Sequence, residues 1–240
     1  MTTTKEAVLS TIEYAITQQP RTLQTAIGPS ELAMECEHCL AAKLAGWEQL
    51  PEAAWLPFIG TAVHAMLETM FEPLPEYLTE QRVNVGVIRG RSVDGTSDLF
   101  HIPNGCVVDH KIGGKSTLDK ARRKPTSQYI GQAHAYGVGF VRAGFDVKTV
   151  AINFLPRNDI SLRRGVWWEE PFDPLLALGV FDDVARLEDT LDAFSSTEER
   201  DAYITSLPRD PKCFNCGRYA DRPVAEPKAA PKTLAAALGV

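Results

Sequence analysis

Two short acidic segments, Gly95-Thr96-Ser97-Asp98-Leu99-Phe100 and Val107-Val108-Asp109-His110-Lys111, flank a run of turn-forming residues, with their aspartates eleven positions apart. The apolar runs on either side of Ile102-Pro103-Asn104-Gly105-Cys106 read as an antiparallel hairpin. Alternate residues of a strand share a face, so Asp109 and Lys111 point one way and His110 the other. A three-residue loop would set Asp98 opposite His110, whereas a glycine bulge at Gly105 shifts the register by one and sets it opposite Asp109. The bulged register is the one expected. Directly opposed side chains stand roughly 5 Å apart at Cβ, close enough for both carboxylates to reach one cation.

Two convergent carboxylates and a lysine form a minimal set for phosphodiester hydrolysis, which needs a cation to neutralise developing charge and to make water nucleophilic. The same residues would also suit an ordinary exposed hairpin with alternating charges. The Asp-x-Lys pattern alone does not discriminate, because it occurs at Asp109 to Lys111, Asp146 to Lys148 and Asp210 to Lys212. Asp146 follows a turn, and Pro211 removes a ladder donor from the third copy. Only the first copy sits in a convincing strand.

With 240 residues and 44% apolar composition, the chain can bury a substantial core as one domain. We expect that domain over 1–222 and a Pro/Ala-rich tail over 223–240, where Pro223, Pro227 and Pro231 alternate with alanines and charges. No stretch approaches the roughly 18 uninterrupted apolar residues of a membrane span, and Met1-Thr2-Thr3-Thr4-Lys5-Glu6 lacks the regions of a signal peptide. A cytoplasmic location is therefore expected, with no membrane partner. The net charge of −6 argues against a protein that coats nucleic acid. Locally the balance reverses: Lys111, Lys115, Lys120, Arg122, Arg123 and Lys124 oppose only Asp119, and this basic segment could guide a phosphate backbone or simply be a solvated loop.

Helices are expected over 5–18, from a Ser30 cap to Gly46, over 59–71, 126–143 and 173–195. Strands are expected over 81–89, 95–102, 106–112 and 148–155. Helices, an antiparallel meander, a helix and a returning strand suggest an α/β fold with a mixed sheet flanked by helices. Within the third helix His64 and Glu68 lie four apart on one face, and Gln128, Gln132 and Tyr136 form a stripe on the fourth. The run Arg163-Arg164-Gly165-Val166-Trp167-Trp168 suits either base stacking or core packing.

Taken in order, Gly60-x-x-x-His64, Gly95-x-x-Asp98, Val108-Asp109-x-Lys111 and Gln132-x-x-x-Tyr136 resemble the RecB-like branch of the PD-(D/E)xK nuclease superfamily. The resemblance implies a restriction-endonuclease-like fold and a Mg or Mn ion held by His64, Asp98, Asp109 and the His110 carbonyl. It implies that Lys111 orients or activates water, and that Gln132 and Tyr136 contact DNA or steady the site. Lys115 would bind substrate, and Glu68 would act through water.

Cys36-x-x-Cys39 and Cys213-x-x-Cys216 bracket these motifs, and two such pairs complete a four-sulfur site joining the N- and C-terminal arms. Disulfides are the alternative, disfavoured in a reducing cytoplasm. Cys106 reads as a small core residue. A four-cysteine clasp around a RecB-like centre resembles the CRISPR-associated exonucleases and their phage-encoded relatives, whose clasp holds a [4Fe-4S] cluster. Those families commonly place one cysteine upstream and three downstream, and paired Cys-x-x-Cys spacing suits structural zinc equally well. The expected activity is DNA exonuclease action on single strands or exposed ends, with a helicase or recombination factor as partner. An endonuclease, a spacer-trimming factor and a noncatalytic DNA-end-binding module are the alternatives.

Overall fold

The computed structural model describes residues 3–18, 26–50, 53–211, 213 and 215–219; the tail expected over 223–240 and the third Asp-x-Lys lysine, Lys212, lie outside them. Along the chain come α1 (Thr4–Thr17), α2 (Pro29–Leu32), α3 (Glu37–Leu44), α4 (Trp55–Phe71), β1 (Tyr77–Ile88), β2 (Arg91–His101) and β3 (Cys106–Gly113). They are followed by α5 (Lys115–Ala121), α6 (Ser127–Arg142), β4 (Thr149–Pro156), β5 (Val166–Pro171), α7 (Pro174–Asp192) and α8 (Thr197–Ser206).

Small polar residues set where several helices begin. The Thr3 hydroxyl accepts the Glu6 N–H while the Glu6 carboxylate accepts the Thr3 N–H, closing a capping box at α1. Thr126, Asp173 and Ser196 cap α6, α7 and α8 with side-chain oxygens. The single helix expected between Ser30 and Gly46 is instead two, broken between Leu32 and Glu37, which leaves Cys36 as the N-cap of α3. Helix α4 starts four residues before Ile59 because Pro57 falls in its first turn, where a missing N–H costs no hydrogen bond. The basic segment after β3 contains a short helix, α5, and β5 adds a strand over Val166-Trp167-Trp168.

The five strands form one mixed sheet in the order β1-β2-β3-β4-β5. β1, β2 and β3 are a meander, β3 and β4 are parallel across the α5–α6 crossover, and β5 returns antiparallel. β3 is the central strand. Its odd residues face the larger core, where Val107 joins Phe100, Phe140, Phe154 and Ile152 beneath α6 and α7. Its even residues face a smaller cluster of Leu99, Val108 and Ala151, partly covered by Phe71 from α4. Phe100 and Phe140 stack at 4.4 Å, an aromatic pair worth about 0.5–1.5 kcal/mol beyond its buried area. α4 has no fully buried residue, and Trp55, Leu56, Met66 and Met70 are exposed on it. Among the described residues no helix is long and apolar enough to cross a membrane.

The β2–β3 ladder pairs His101 with Cys106, Phe100 with Val107 and Leu99 with Val108, the register that sets Asp98 beside Asp109. The loop differs from a three-residue turn with a bulge. Four residues make it, closed by the Gly105 N–H on the Ile102 carbonyl, with Gly105 at φ +59°. A side chain there would also meet the Asp146 carbonyl oxygen, which lies 2.3 Å from where a Cβ would stand. Left-handed strain of about 1–2 kcal/mol and crowding of about 1–3 kcal/mol add at this position. Gly105→Ala is therefore expected to lower unfolding stability by about 2–5 kcal/mol, measured by urea denaturation; a change below about 1 kcal/mol would show that the turn relaxes freely.

Candidate active site

Beyond Leu99 and Val108 the two hairpin strands part, and a side chain replaces the backbone ladder. The Asp98 carboxylate accepts the His110 N–H through Oδ2 at 2.7 Å. Its other oxygen, Oδ1, lies 3.2 Å from Nδ1 of His64, which α4 carries over the sheet. Burial opposes ionisation of Asp98, but His64, Lys111 and the His110 N–H together outweigh it and hold the carboxyl below its usual range. Burial likewise opposes a charged His64, and Asp98 more than compensates, raising the imidazole pKa. Each partner thus favours the charged form of the other.

Asp109 lies deeper, with 2% of its side chain exposed. Burial pushes its carboxyl up to about 6, Asp98 pushes the same way, and Lys111 opposes both. The Lys111 ammonium stands 2.6 Å from Asp109 Oδ2, a buried ion pair that works against the effect of burial on the carboxyl. Carboxylates of this kind also suit a divalent cation.

Lys111 is held from three directions. Besides Asp109, the Gln132 Oε1 of α6 accepts from Nζ at 3.1 Å, and the Tyr129 ring lies 5.1 Å from the ammonium, a cation–π distance. Gln132 and Tyr136 are each only 5% exposed. Tyr136 packs in the main core beneath Gly95. Both side chains are therefore buried rather than presented to solvent. His110 turns its ring to the other face, near Phe71 and His64. Asn153 donates to its Nδ1 at 3.2 Å, burial drives its pKa down to about 4 so that the ring is neutral, and its backbone N–H is the group that meets Asp98.

One acidic residue here was not anticipated. Glu80 on β1 brings a carboxylate oxygen into a group with His64 and Asp98 whose ligand atoms lie within 4.8 Å of one another. It adopts φ +46°, a left-handed conformation that glutamate rarely takes and that costs of order 1–3 kcal/mol. Its place just before the expected strand start at 81 hid it, and no local signal in Thr79-Glu80-Gln81 marks the conformation. Glu68 is exposed and lies outside this group.

Lys115 is exposed at the start of α5, directly after β3. Arg122, on the same short helix's C-cap, pairs with Asp119 at 2.6 Å and donates to the Arg164 carbonyl, so the basic segment is anchored to the Arg163-Arg164 turn. Trp168 packs against the core while Trp167 is 53% exposed, its Nε1 donating to Glu169. Asp146 and Lys148 form only an exposed pair at 3.9 Å.

Four of the cysteines converge. Cys36 and Cys39 approach Cys213 and Cys216 with Sγ separations of 3.5 Å for Cys36–Cys39, 3.3 Å for Cys36–Cys216, 3.6 Å for Cys39–Cys213 and 3.4 Å for Cys39–Cys216. Burial, reinforced by the neighbouring thiols, raises the Cys39 thiol and pushes Cys216 up to about 12, whereas at Cys36 burial is outweighed by backbone hydrogen bonds from Asp210 and Cys39 and the thiol is lowered. Cys106 is a buried free thiol in the smaller cluster.

The chain matches no protein-family model and no curated protein sequence. Among solved structures it is similar to SSO0001, at 16% identity and TM-score 0.45 over 85% of this chain and 95% of that one. It is also similar to the alkaline exonuclease LHK-Exo from Laribacter hongkongensis, at 11% identity and TM-score 0.49 over 81% of this chain and 94% of that one. LHK-Exo in complex with dAMP matches at 14% identity and TM-score 0.49, over 75% and 90% of the two chains. At such values the chemistry has to be read from this chain's own side chains.

His64, Glu80 and Asp98 stand close enough together that they could hold a metal ion, a group that does not include Asp109. Manganese at a hundred times its Kd is expected to stabilise the folded chain by about 2.7 kcal/mol, read as a rise in melting temperature. Asp98→Asn and Glu80→Gln should abolish most of that rise, and an equal rise in both variants would place the ion elsewhere.

Proposed function

We propose that this chain is a metal-dependent DNA exonuclease of the PD-(D/E)xK superfamily, RecB-like, acting on single-stranded or exposed DNA ends in recombination, repair or phage DNA processing. The observation that carries this reading is the convergence of His64, Glu80 and Asp98, whose ligand atoms lie within 4.8 Å of one another, beside the buried Asp109–Lys111 pair.

In this reading His64, Asp98, Asp109 and the His110 carbonyl hold Mg or Mn, and Glu80 joins them. When bound, the ion supplies positive charge to the phosphodiester and acidifies water. Neutral imidazole would be the ligating form of His64, and the adjoining Asp98 would keep the ring oriented for it. Lys111, fixed by Gln132 and Tyr129, presents its ammonium where the attacking water and the phosphate oxygens would meet. Gln132 positions Lys111 and Tyr136 backs the strand that carries Asp98. Lys115 and the basic residues of α5 draw the phosphate backbone toward the end of β3. The alkaline exonuclease likeness agrees in kind with this reading, and a helicase or recombination factor would be a natural supplier of ends.

End-labelled linear single strands with manganese should be degraded, and Asp109→Asn or Lys111→Met should lower kcat by about 10²–10³-fold or more. Gln132→Ala should lose less, because the ammonium keeps Asp109. Unchanged digestion by the Asp109 and Lys111 variants would remove the catalytic assignment. Cleavage of circular single strands would replace the exonuclease reading with an endonuclease, and binding of ends without any digestion would favour a noncatalytic module.

A further inference from the structure

The cysteine clasp is too tight for the cluster that the family resemblance implies. All four sulfurs lie within 4.8 Å of one another, with four of the separations between 3.3 and 3.6 Å. A [4Fe-4S] cube stands between its four thiolates and holds them roughly 6 Å apart. A single tetrahedral ion bound at about 2.3 Å puts its sulfurs about 3.8 Å apart, the tetrahedron edge being about 1.6 times the bond. The observed spacing lies within about half an ångström of the second arrangement and far from the first. We propose that the clasp is a closed, mononuclear tetrathiolate site for zinc.

The surroundings suit a structural ion. Cys36 and Cys39 are buried at the first turn of α3, and Cys213 and Cys216 approach from the C-terminal arm, so four ligands leave no open position for water. Four sulfurs with tetrahedral placement select zinc or iron, and zinc binds such a site more tightly than ferrous iron. An outer hydrogen bond is also in place. Arg209 Nη2 lies 3.2 Å from Nε2 of the fully buried His38, and a guanidinium can only donate. The proton of His38 therefore sits on Nδ1, which is 3.9 Å from Cys39 Sγ and can donate to its thiolate. Nothing in this assignment depends on the nuclease reading, and either can fail without the other.

The test uses the full chain expressed with both iron and zinc supplied, purified anaerobically, then treated with ferrous iron and sulfide. Elemental analysis and the absorption spectrum before and after are expected to show about one zinc per chain, little iron and no visible band. Release of that zinc by a mercurial, followed with a colorimetric chelator, should coincide with a fall in melting temperature. Cys216→Ser, at the more exposed corner, should retain less than about a tenth of the zinc; should that variant not fold, the mercurial titration of the wild-type chain decides. About four irons per chain with broad visible absorbance, a single iron, or a metal-free chain whose cysteines resist alkylation as disulfides would each overturn the proposal.

Discussion

Strand β3 is bonded along both edges, antiparallel to β2 and parallel to β4, and the charged groups of the crevice take their positions from it. A slip of one residue would exchange the faces of Val107 and Val108, expelling one from each core cluster and turning Asp109 and Lys111 away from α6. The eight paired residues between Cys106–Thr149 and Gly113–Pro156 make such a slip costly. Hydrophobic alternation and the parallel ladder therefore do more to aim Asp109 and Lys111 than any contact the two make with each other.

Within that frame the crevice is held in a frustrated state. Asp109 is kept in a low-dielectric position where its charge is disfavoured, and Glu80 is kept in a backbone conformation that most residues avoid. Each costs on the order of 1–3 kcal/mol, a sizeable share of a typical domain's stability. The compensation comes from elsewhere: stacked Phe100 and Phe140, the α6 face against β1, β3 and β4, and the helix caps. Local rules broken at one place and obeyed around it are the usual mark of a functional site.

Sequence patterns made the sheet's centre readable because period-two burial on β3 and turn chemistry at Pro103 to Gly105 point to the same hairpin. The long helices α1, α6 and α7 were equally plain, each with a cap and a sustained apolar face. What escaped was set by tertiary contact. α5 is only seven residues long and reads as a basic loop, and β5 carries two tryptophans whose opposite burial appears only once β4 pairs with them. The break between α2 and α3 follows from docking against α6, where Ala33 fills the space left by Gly131. Glu80 was invisible for a different reason: its contribution depends on a backbone angle, and residue type alone does not encode one. For Gln132 and Tyr136 spacing identified the helix face, while their depth is set by packing that spacing does not reveal.

The clasp also imposes an order of birth on the molecule. Cys36 and Cys216 are 180 positions apart, so at about 5–20 residues per second the first pair of thiols leaves the ribosome roughly 10–40 s before the second exists. During that wait α3 has no knot to hold it, and the meander and crossover must assemble with their outer flank open. Closure of the ring waits on Cys213 and Cys216, so the whole sheet is translated before the clasp can be sealed.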